Sequence, residues 1–96
     1  MVSNIDRFYD LRLYVYGKTE KSESAIRSVK RICATQPPGH CNFEIIDLSE
    51  TPELGQQDCI LATPTLIRRK PPPEQRIIGD LSETAKVLLS LGIEPG

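Results

Sequence analysis

Eight of the 96 residues are proline, and their positions constrain the fold of this chain more than any other feature. Proline is nearly excluded from helix interiors and central strands, because it lacks a backbone N–H and its ring fixes φ. The prolines at 37–38, 52, 64 and 71–73 therefore mark boundaries between elements. Each segment between these boundaries has one clear hydrophobic periodicity, so the elements can be assigned in turn.

The first half of the chain shows a strand–helix–strand pattern. Residues 11–16 alternate in character and end at Gly17, which predicts a strand with one buried apolar face. A helix follows, because apolar side chains recur three and four residues apart between Ala25 and Cys33. Residues 43–48 predict a second strand that is buried on both faces. The intervening helix favours a parallel pairing of the two strands.

The second half of the chain predicts a short helix, a hairpin and a last helix. The short helix covers 52–58, with proline as its first residue. Residues 65–68 and 75–78 predict two strands joined by an extended proline loop. The last helix begins at Asp80 or Ser82 and ends at glycine 92.

The predicted order is βαβαββα, with a parallel crossover first and a hairpin later. This order is the plan of the thioredoxin-like α/β folds. We expect a single domain over residues 1–96, with a flexible segment at 1–9 and a tail at 93–96.

Charge and hydropathy exclude several classes of protein. The 12 basic and 13 acidic residues give a formal net charge of −1, whereas nucleic-acid and membrane-surface proteins normally carry a basic excess. No apolar run approaches the ~18 residues of a membrane span. Residues 1–10 carry charges and lack the apolar core of a secretory signal. We expect a cytoplasmic protein with no nucleic-acid or membrane partner and no cofactor.

The three cysteines, Cys33, Cys41 and Cys59, do not indicate a disulfide framework, because their number is odd and no secretory signal precedes them. No Cys-x-x-Cys motif is present, and His40, the only histidine, follows residues 37–39 on a loop. We expect structural or surface roles for these four residues, no metal site and no catalytic residue.

Pro64 stands just before the third predicted strand, in the run ILATPTL. Thioredoxin-like folds place a proline, usually in the cis form, at this entrance, and both isomers of Thr63–Pro64 stay open from sequence. Thioredoxin chemistry also needs a cysteine pair at the start of the first helix, where the helix N-terminus lowers the pKa of a thiol. Residues 17–22 contain no cysteine, so the sequence predicts the fold without that chemistry.

Four runs of sequence together resemble the KaiB family, the small proteins of the cyanobacterial circadian clock. They are LRLYVYGKT at 11–19, IDLSETP at 46–52, ILATPTL at 60–66 and PPPEQRIIGDLS at 71–82. The last run is the most specific, and the resemblance extends over about residues 11–91.

The resemblance implies a non-enzymatic regulator that binds the ATPase ring of KaiC, interacts with other clock proteins and helps to time the phosphorylation cycle of KaiC. It also implies two folds, a thioredoxin-like partner-bound state and a free state in which the C-terminal half is arranged differently. We expect a homodimer or homotetramer in the free state. The residues that delimit this switching segment, or lie at its turns, are Pro64, Pro71, Pro72, Pro73, Gly79, Asp80, Ser90 and Gly92.

The candidate partner-binding residues under the same resemblance are Arg12, Tyr14, Ser24, Phe43, Glu44, Cys59 and Arg76. Family members commonly carry basic residues where this chain has Glu44, Cys59 and Ser24. Ser90 and Gly92 likewise replace a common glycine and aspartate. These departures predict a divergent paralogue, whose partner is KaiC or a KaiC-like ATPase.

Two other functions stay open at this point. One is a thioredoxin-fold monothiol oxidoreductase that uses Cys33 or Cys59, and the other is a KaiB-like sensory input module of a signalling kinase. A basic patch is predicted around the proline loop from residues 68–70 and Arg76, either as a surface for an acidic partner or as a solvated hairpin end. Tyr14 and Tyr16 are either interface anchors or sheet residues covered by a helix.

Overall fold

The computed structural model describes residues 8–94 and confirms the predicted order of seven elements. The strands and helices are β1 Tyr9–Val15, α1 Glu20–Ala34, β2 Cys41–Asp47, α2 Pro52–Gln57, β3 Thr65–Lys70, β4 Gln75–Ile78 and α3 Thr84–Ser90.

The four strands form one sheet in the order β2-β1-β3-β4. β1 pairs with β2 in parallel and with β3 antiparallel, and β3 pairs with β4 as an antiparallel hairpin. The predicted crossover and hairpin are both confirmed. β1 is thus a central strand between a parallel and an antiparallel neighbour.

α1 begins where its sequence predicts a start. Thr19 is the N-cap, and its side chain accepts a hydrogen bond from the Ser22 N–H at 3.0 Å. Glu20 and Glu23 lie in the first turn, where negative charge complements the helix dipole. The predicted apolar stripe faces the sheet, with Val29 and Ile32 fully buried.

The two faces of the sheet carry separate apolar cores. The larger core lies under α1 and α3, and we call this side the α1/α3 face; its members include Leu11, Leu13, Val15, Val29, Ile32, Leu66, Val87, Leu88 and Leu91. The smaller core lies on the opposite side, the α2 face, where Leu54 of α2 and Ile60 pack against Tyr14, Ile46, Leu48 and Ile67. Successive side chains of a strand point to opposite faces, so neighbours such as Ile45 and Ile46 belong to different cores, as predicted.

Both predicted chain ends are corrected by the structure. Tyr9 lies in β1 with 1% of its surface exposed, so the flexible segment does not extend to residue 9. Ile93 belongs to the main core with 3% exposed, and its N–H donates to the Leu88 carbonyl at 2.8 Å. The remainder of these two predictions, residues 1–7 and 95–96, lies outside the described residues.

Within the described part of the chain, three X-Pro bonds are cis, at Thr63–Pro64, Lys70–Pro71 and Pro72–Pro73. α3 begins later than predicted, at Thr84 with Glu83 at the N-cap position. Asp80 instead accepts a hydrogen bond from the Ser82 N–H at 2.9 Å. This local turn satisfies the Asp80 side chain before the helix starts, since aspartate readily bonds the backbone two residues ahead.

Cys33 and Cys41 form a disulfide, contrary to the expectation from the cysteine count. Cys33 lies in the last turn of α1 and Cys41 opens β2, and the return of the chain between them brings their Cα atoms to 5.4 Å. That separation lies in the ordinary range for a disulfide. Cys59 is free and exposed. Over residues 8–94, no helix combines the length and apolar content that crossing a bilayer requires.

Asp47 ties the end of β2 to the turn before α1. Its Oδ1 accepts hydrogen bonds from the Gly17 N–H at 2.8 Å, the Ser49 hydroxyl at 2.7 Å and the Ser49 N–H at 2.9 Å. The bond from the Gly17 N–H, followed by those from Ser49, holds the pKa of Asp47 below its ordinary value. These bonds favour the ionised carboxylate, so Asp47 stabilises the fold above its unfolded pKa.

We predict that Asp47→Asn weakens the pH dependence of stability on the acid side. In the parent protein, the stabilisation by Asp47 is complete above the unfolded pKa and is lost as pH falls through the lower folded pKa. The variant is less stable at neutral pH, and the difference between the two proteins shrinks as the pH falls below about 4. Urea unfolding over this pH range measures both effects.

Glu74→Gln is the matched control, because it removes one carboxylate from an exposed position on the proline loop. Its stability difference from the parent should be small throughout. A constant difference between the Asp47→Asn variant and the parent at every pH would contradict the assigned role of the Asp47 charge.

Candidate functional site

The candidate site starts from one row of side chains across the sheet on the α2 face. In the strand register, Arg12 of β1 pairs with Glu44 of β2 on one side and with Ile67 of β3 on the other. Ile67 in turn pairs with Arg76 of β4. Paired residues of adjacent strands share a face, so Glu44, Arg12, Ile67 and Arg76 form a continuous row.

Arg12 is held between two carboxylates. Its Nε and Nη2 each lie 3.1 Å from Oε1 of Glu44, and its Nη1 lies 3.2 Å from Oδ2 of Asp58. The Arg12 side chain is 21% exposed, and a planar guanidinium bound on two sides loses most of its rotational freedom. The positive charge is therefore fixed in place and largely neutralised by its two partners.

Tyr14 anchors the end of α2 to the sheet. Its ring is fully buried in the smaller core, and its hydroxyl donates a short hydrogen bond to Oδ2 of Asp58. Asp58 is the C-cap residue of α2. The Asp58 carboxylate thus accepts hydrogen bonds from both Tyr14 and Arg12. These bonds fix the position at which residues 59–61 leave α2.

Residues 59–61 form an exposed edge beside the row of side chains that contains Arg12 and Arg76. Cys59 has a φ of 55° and is exposed, and its carbonyl accepts a hydrogen bond from Nη1 of Arg76 at 3.4 Å. The next two residues are both apolar but differ in burial: Ile60 packs into the smaller core, whereas Leu61 is 93% exposed. The Leu61 side chain therefore borders solvent at the rim of the α2 face.

A cleft of about 510 Å³ lies at the same edge. Its lining is mostly apolar and comes from the ends of β1 and β2, from α2 and from the segment after it: Tyr16, Leu48, Pro52, Gly55, Gln56, Cys59, Ile60 and Leu61. Tyr16 is exposed, in contrast to buried Tyr14, so only Tyr16 of the two is accessible to a partner. Together the cleft and the charged row form a mixed surface of the kind that binds proteins.

The structure brings together five of the seven predicted partner-binding residues. Arg12, Tyr14, Glu44, Cys59 and Arg76 share the α2 face or its rim. Phe43 does not belong with them, because it pairs with Leu11 and packs against the larger core.

Ser24 is also remote from this face. It lies on α1 and borders a different cleft of about 690 Å³, together with Pro64, Gly79 and Asp80. Ser24 and Phe43 therefore lie apart from the other five residues, and their role in partner binding stays a prediction. The residues associated with the switching segment occupy three places in the structure, which are the strand entrance, the proline loop and the two ends of α3.

The entrance to β3 and the residue that follows β4 are connected directly. The Gly79 N–H donates to the Pro64 carbonyl at 3.0 Å, and Gly79 has a φ of 106° that favours glycine. Ser90 is the last residue of α3, and Gly92 follows with a φ of 65°. The role of these positions in a change of fold stays a prediction.

Only some residues of the predicted basic patch lie on the surface. Arg68 is 7% exposed on the α1/α3 face, and its guanidinium donates to the carbonyls of Pro71 and Pro73. Its assignment to the surface is corrected, because its position in β3 places it on the same side as buried Leu66. Arg76, by contrast, is exposed on the α2 face.

Sequence reasoning missed two residues of this surface, Asp58 and Leu61. The sequence predicts Asp58 only as the end of a short helix, and its contact with Arg12 depends on how α2 folds back over the sheet. Leu61 was assigned to an apolar run with no separate role. Within residues 8–94, no group of three or more side chains of the metal-binding types clusters as a metal site would.

A family model described as the KaiB domain matches residues 12–93. The chain belongs to the KaiB family. The circadian clock protein KaiB3 of Synechocystis sp. is 49% identical over 85 residues, which cover 88% of this chain and 83% of that protein. The circadian clock oscillator protein KaiB of Acaryochloris marina is 42% identical over 92 residues, which cover 96% and 88%.

Two solved structures confirm that the KaiB-family chain described here has a thioredoxin-like fold. The N-terminal domain of SasA from Synechococcus elongatus matches with a TM-score of 0.70 at 22% identity, covering 94% of this chain and 89% of that domain. A chloroplastic thioredoxin z matches with a TM-score of 0.71 at 18% identity, covering 92% and 79%. At these identities the likeness concerns the fold alone.

We predict that Asp58→Ala destabilises the protein more than Glu44→Ala. Removing Asp58 leaves the buried Tyr14 hydroxyl without its acceptor, which costs about 1–3 kcal/mol. Removing Glu44 leaves Arg12 paired with Asp58 and breaks a more exposed ion pair, worth about 0–1 kcal/mol. Urea unfolding of the two variants measures the difference.

Tyr14→Phe supplies the matching deletion on the other side of the hydrogen bond. A double-mutant cycle with Asp58→Ala should return a coupling between the two residues, because they share one contact. Additive effects of the two substitutions, or equal effects of the two carboxylate variants, would show that Asp58 does not anchor α2.

Proposed function

We propose that this KaiB-family chain is a non-enzymatic cytoplasmic regulator that binds a KaiC-like ATPase ring and modulates its phosphorylation or ATPase cycle. The binding surface in this proposal is the α2 face together with Leu61 and the adjacent apolar cleft. Other clock proteins are further partners of the same kind.

The observation that carries this proposal is that four predicted partner-binding residues from three strands and the segment after α2 lie on one face of the sheet or at its rim. They are Arg12, Glu44, Cys59 and Arg76. Tyr14, the fifth candidate on this face, is buried and supports the surface from below through its hydrogen bond to Asp58. An exposed leucine and an apolar cleft beside fixed charges supply the buried centre and polar rim of a protein interface.

The low net positive charge of this surface supports a KaiC-like ATPase as the partner. Glu44 and Asp58 neutralise Arg12, and Cys59 contributes no charge at a position where the family commonly has a basic residue. Arg76 is then the exposed cation of the row. Weak net charge reduces electrostatic steering, so we expect association to be slow and to depend little on ionic strength.

The proposal includes a homodimer or homotetramer in the free state, with a different arrangement of the C-terminal half. Residues at the strand entrance and at both ends of α3 delimit that half. Analytical ultracentrifugation over a range of protein concentrations tests the assembly, and a monomer throughout would remove this part of the proposal while leaving the binding surface intact.

We predict that Arg76→Ala and Leu61→Ala each weaken binding to a KaiC-like ATPase by about 5- to 30-fold, the cost of losing an interface residue that contributes 1–2 kcal/mol. Both side chains are exposed, so the fold should be retained. Gel filtration and titration after long incubation with the ATPase and nucleotide measure the complex.

Lys86→Ala is the matched control for Arg76→Ala. Lys86 is an exposed cation of α3, and α3 packs on the other side of the sheet. Its removal should leave the dissociation constant unchanged. Equal weakening by Lys86→Ala and Arg76→Ala would place the interface elsewhere, and the absence of any complex with KaiC-like proteins of the same organism would reject the proposed partner.

A further inference from the structure

The Cys33–Cys41 disulfide closes a short connection between two main elements. It joins the last turn of α1 to the first residue of β2, with a sequence separation of 8. Both cysteines are half-buried and pack against the larger core, so neither residue is fully enclosed. A small thiol or disulfide in solution can therefore approach the pair.

The connection closed by this bond has a defined shape of its own. The His40 N–H donates to the Pro37 carbonyl at 3.0 Å, and Gly39 between them has a φ of 81°. The His40 carbonyl in turn accepts the Tyr9 N–H at 2.9 Å. Because this turn has its own hydrogen bonds, the two cysteines stay near each other even when they are not bonded.

The same connection contacts the C-terminal end of the described chain. Nε2 of Gln36 donates to the Glu94 carbonyl at 2.6 Å, and the Glu94 N–H donates to the Tyr9 hydroxyl at 3.3 Å. Just before Glu94, Ile93 is buried in the main core. The position of residues 36–40 is thereby coupled to the packing of the segment that follows α3.

We propose that Cys33 and Cys41 form a thiol–disulfide exchange site, with small thiols and disulfides of the glutathione type as reactants. The redox state of the pair sets how firmly residues 91–94 pack. This inference is independent of the proposed ATPase partner, because it concerns a different edge of the molecule.

Oxidation of the pair is a two-electron exchange with one molecule of the glutathione-type disulfide. One cysteine thiolate attacks a sulfur of that disulfide, forms a mixed disulfide and releases one thiol. The second cysteine thiolate then attacks the protein sulfur of the mixed disulfide and releases the other thiol. Cys33 and Cys41 lose two protons and two electrons in total, and the two released thiols carry them away. Reduction by two thiols is the reverse reaction.

The oxidised pair restricts the connection, and the reduced pair leaves it tied only by hydrogen bonds. Closing a loop of this size stabilises a protein mainly by limiting the unfolded chain, and reduction is expected to lower Tm by about 10–20 °C. Local opening near residues 36–40 should also become more frequent, and Glu94 should lose part of its contact with Gln36 and Tyr9.

The first test is a redox titration of the full chain in buffers with graded ratios of reduced to oxidised glutathione, followed by acid quenching, alkylation and mass spectrometry. Cys33 and Cys41 should lose and regain alkylation together, in a single transition in which the protein gains or loses two alkyl groups at once. Cys59 is the internal reference, because it can gain only a glutathione adduct.

Three outcomes of this titration would overturn the proposal. Alkylation of Cys33 and Cys41 at every ratio would mean that the pair does not form. Protection at every ratio, including a large excess of reduced glutathione, would mean a permanent cross-link. A stable glutathione adduct on either cysteine would mean that the second attack does not occur.

The second test is amide hydrogen exchange on the oxidised and reduced protein. The Ile93 and Glu94 amides should exchange about 3- to 10-fold faster after reduction, while the Gly79 amide, which follows β4 and donates to Pro64, should be unaffected. A Cys33→Ser, Cys41→Ser double variant should match the reduced protein in both redox buffers. Equal exchange of Ile93 and Glu94 in the two redox states would overturn the proposed coupling.

Discussion

β1 is the strand on which the rest of the structure depends, because it pairs with a neighbour on each edge and is covered on both faces. Its residues alternate between the two cores, with Leu13 toward α1 and α3 and Tyr14 toward α2. A shift of one residue in its pairing would exchange these faces. The same shift would take Arg12 away from Glu44 and Asp58. The hydrophobic cores and the candidate binding surface are thus organised by one strand register.

Local signals in the sequence were sufficient for the order of the elements. Prolines and glycines lie at element ends for reasons that act within a few residues, and the periodicities of α1 and β1 identify their buried sides. The chain ends were less predictable. Tyr9 and Ile93 are buried through contacts with residues far away in the sequence, such as the bond from the Glu94 N–H to the Tyr9 hydroxyl. The cysteine pair was missed because counting thiols carries no information on the distance between their Cα atoms.

The candidate site was predictable to the extent that it follows strand alternation. Arg12 and Tyr14 share a face because they are two residues apart, and Glu44 joins them through the parallel register. Asp58 joins them only because α2 turns back over the sheet, which no short-range pattern encodes. Ser24 and Phe43 are candidates by family resemblance alone, and they lie away from this surface, because resemblance does not specify which side of a sheet a residue occupies.

The buried guanidinium of Arg68 has a consequence for how the loop at 71–73 can vary. Two of the loop carbonyls accept hydrogen bonds from this cation, and its Nε has no partner among the described residues. The backbone oxygens of the loop therefore act in place of a counter-ion. A longer or shorter loop would carry them out of reach and leave a cation in apolar surroundings, a far greater cost than an imperfect turn. Solvation of a charge therefore constrains the length of this connection, and we expect insertions to be tolerated better elsewhere in the chain.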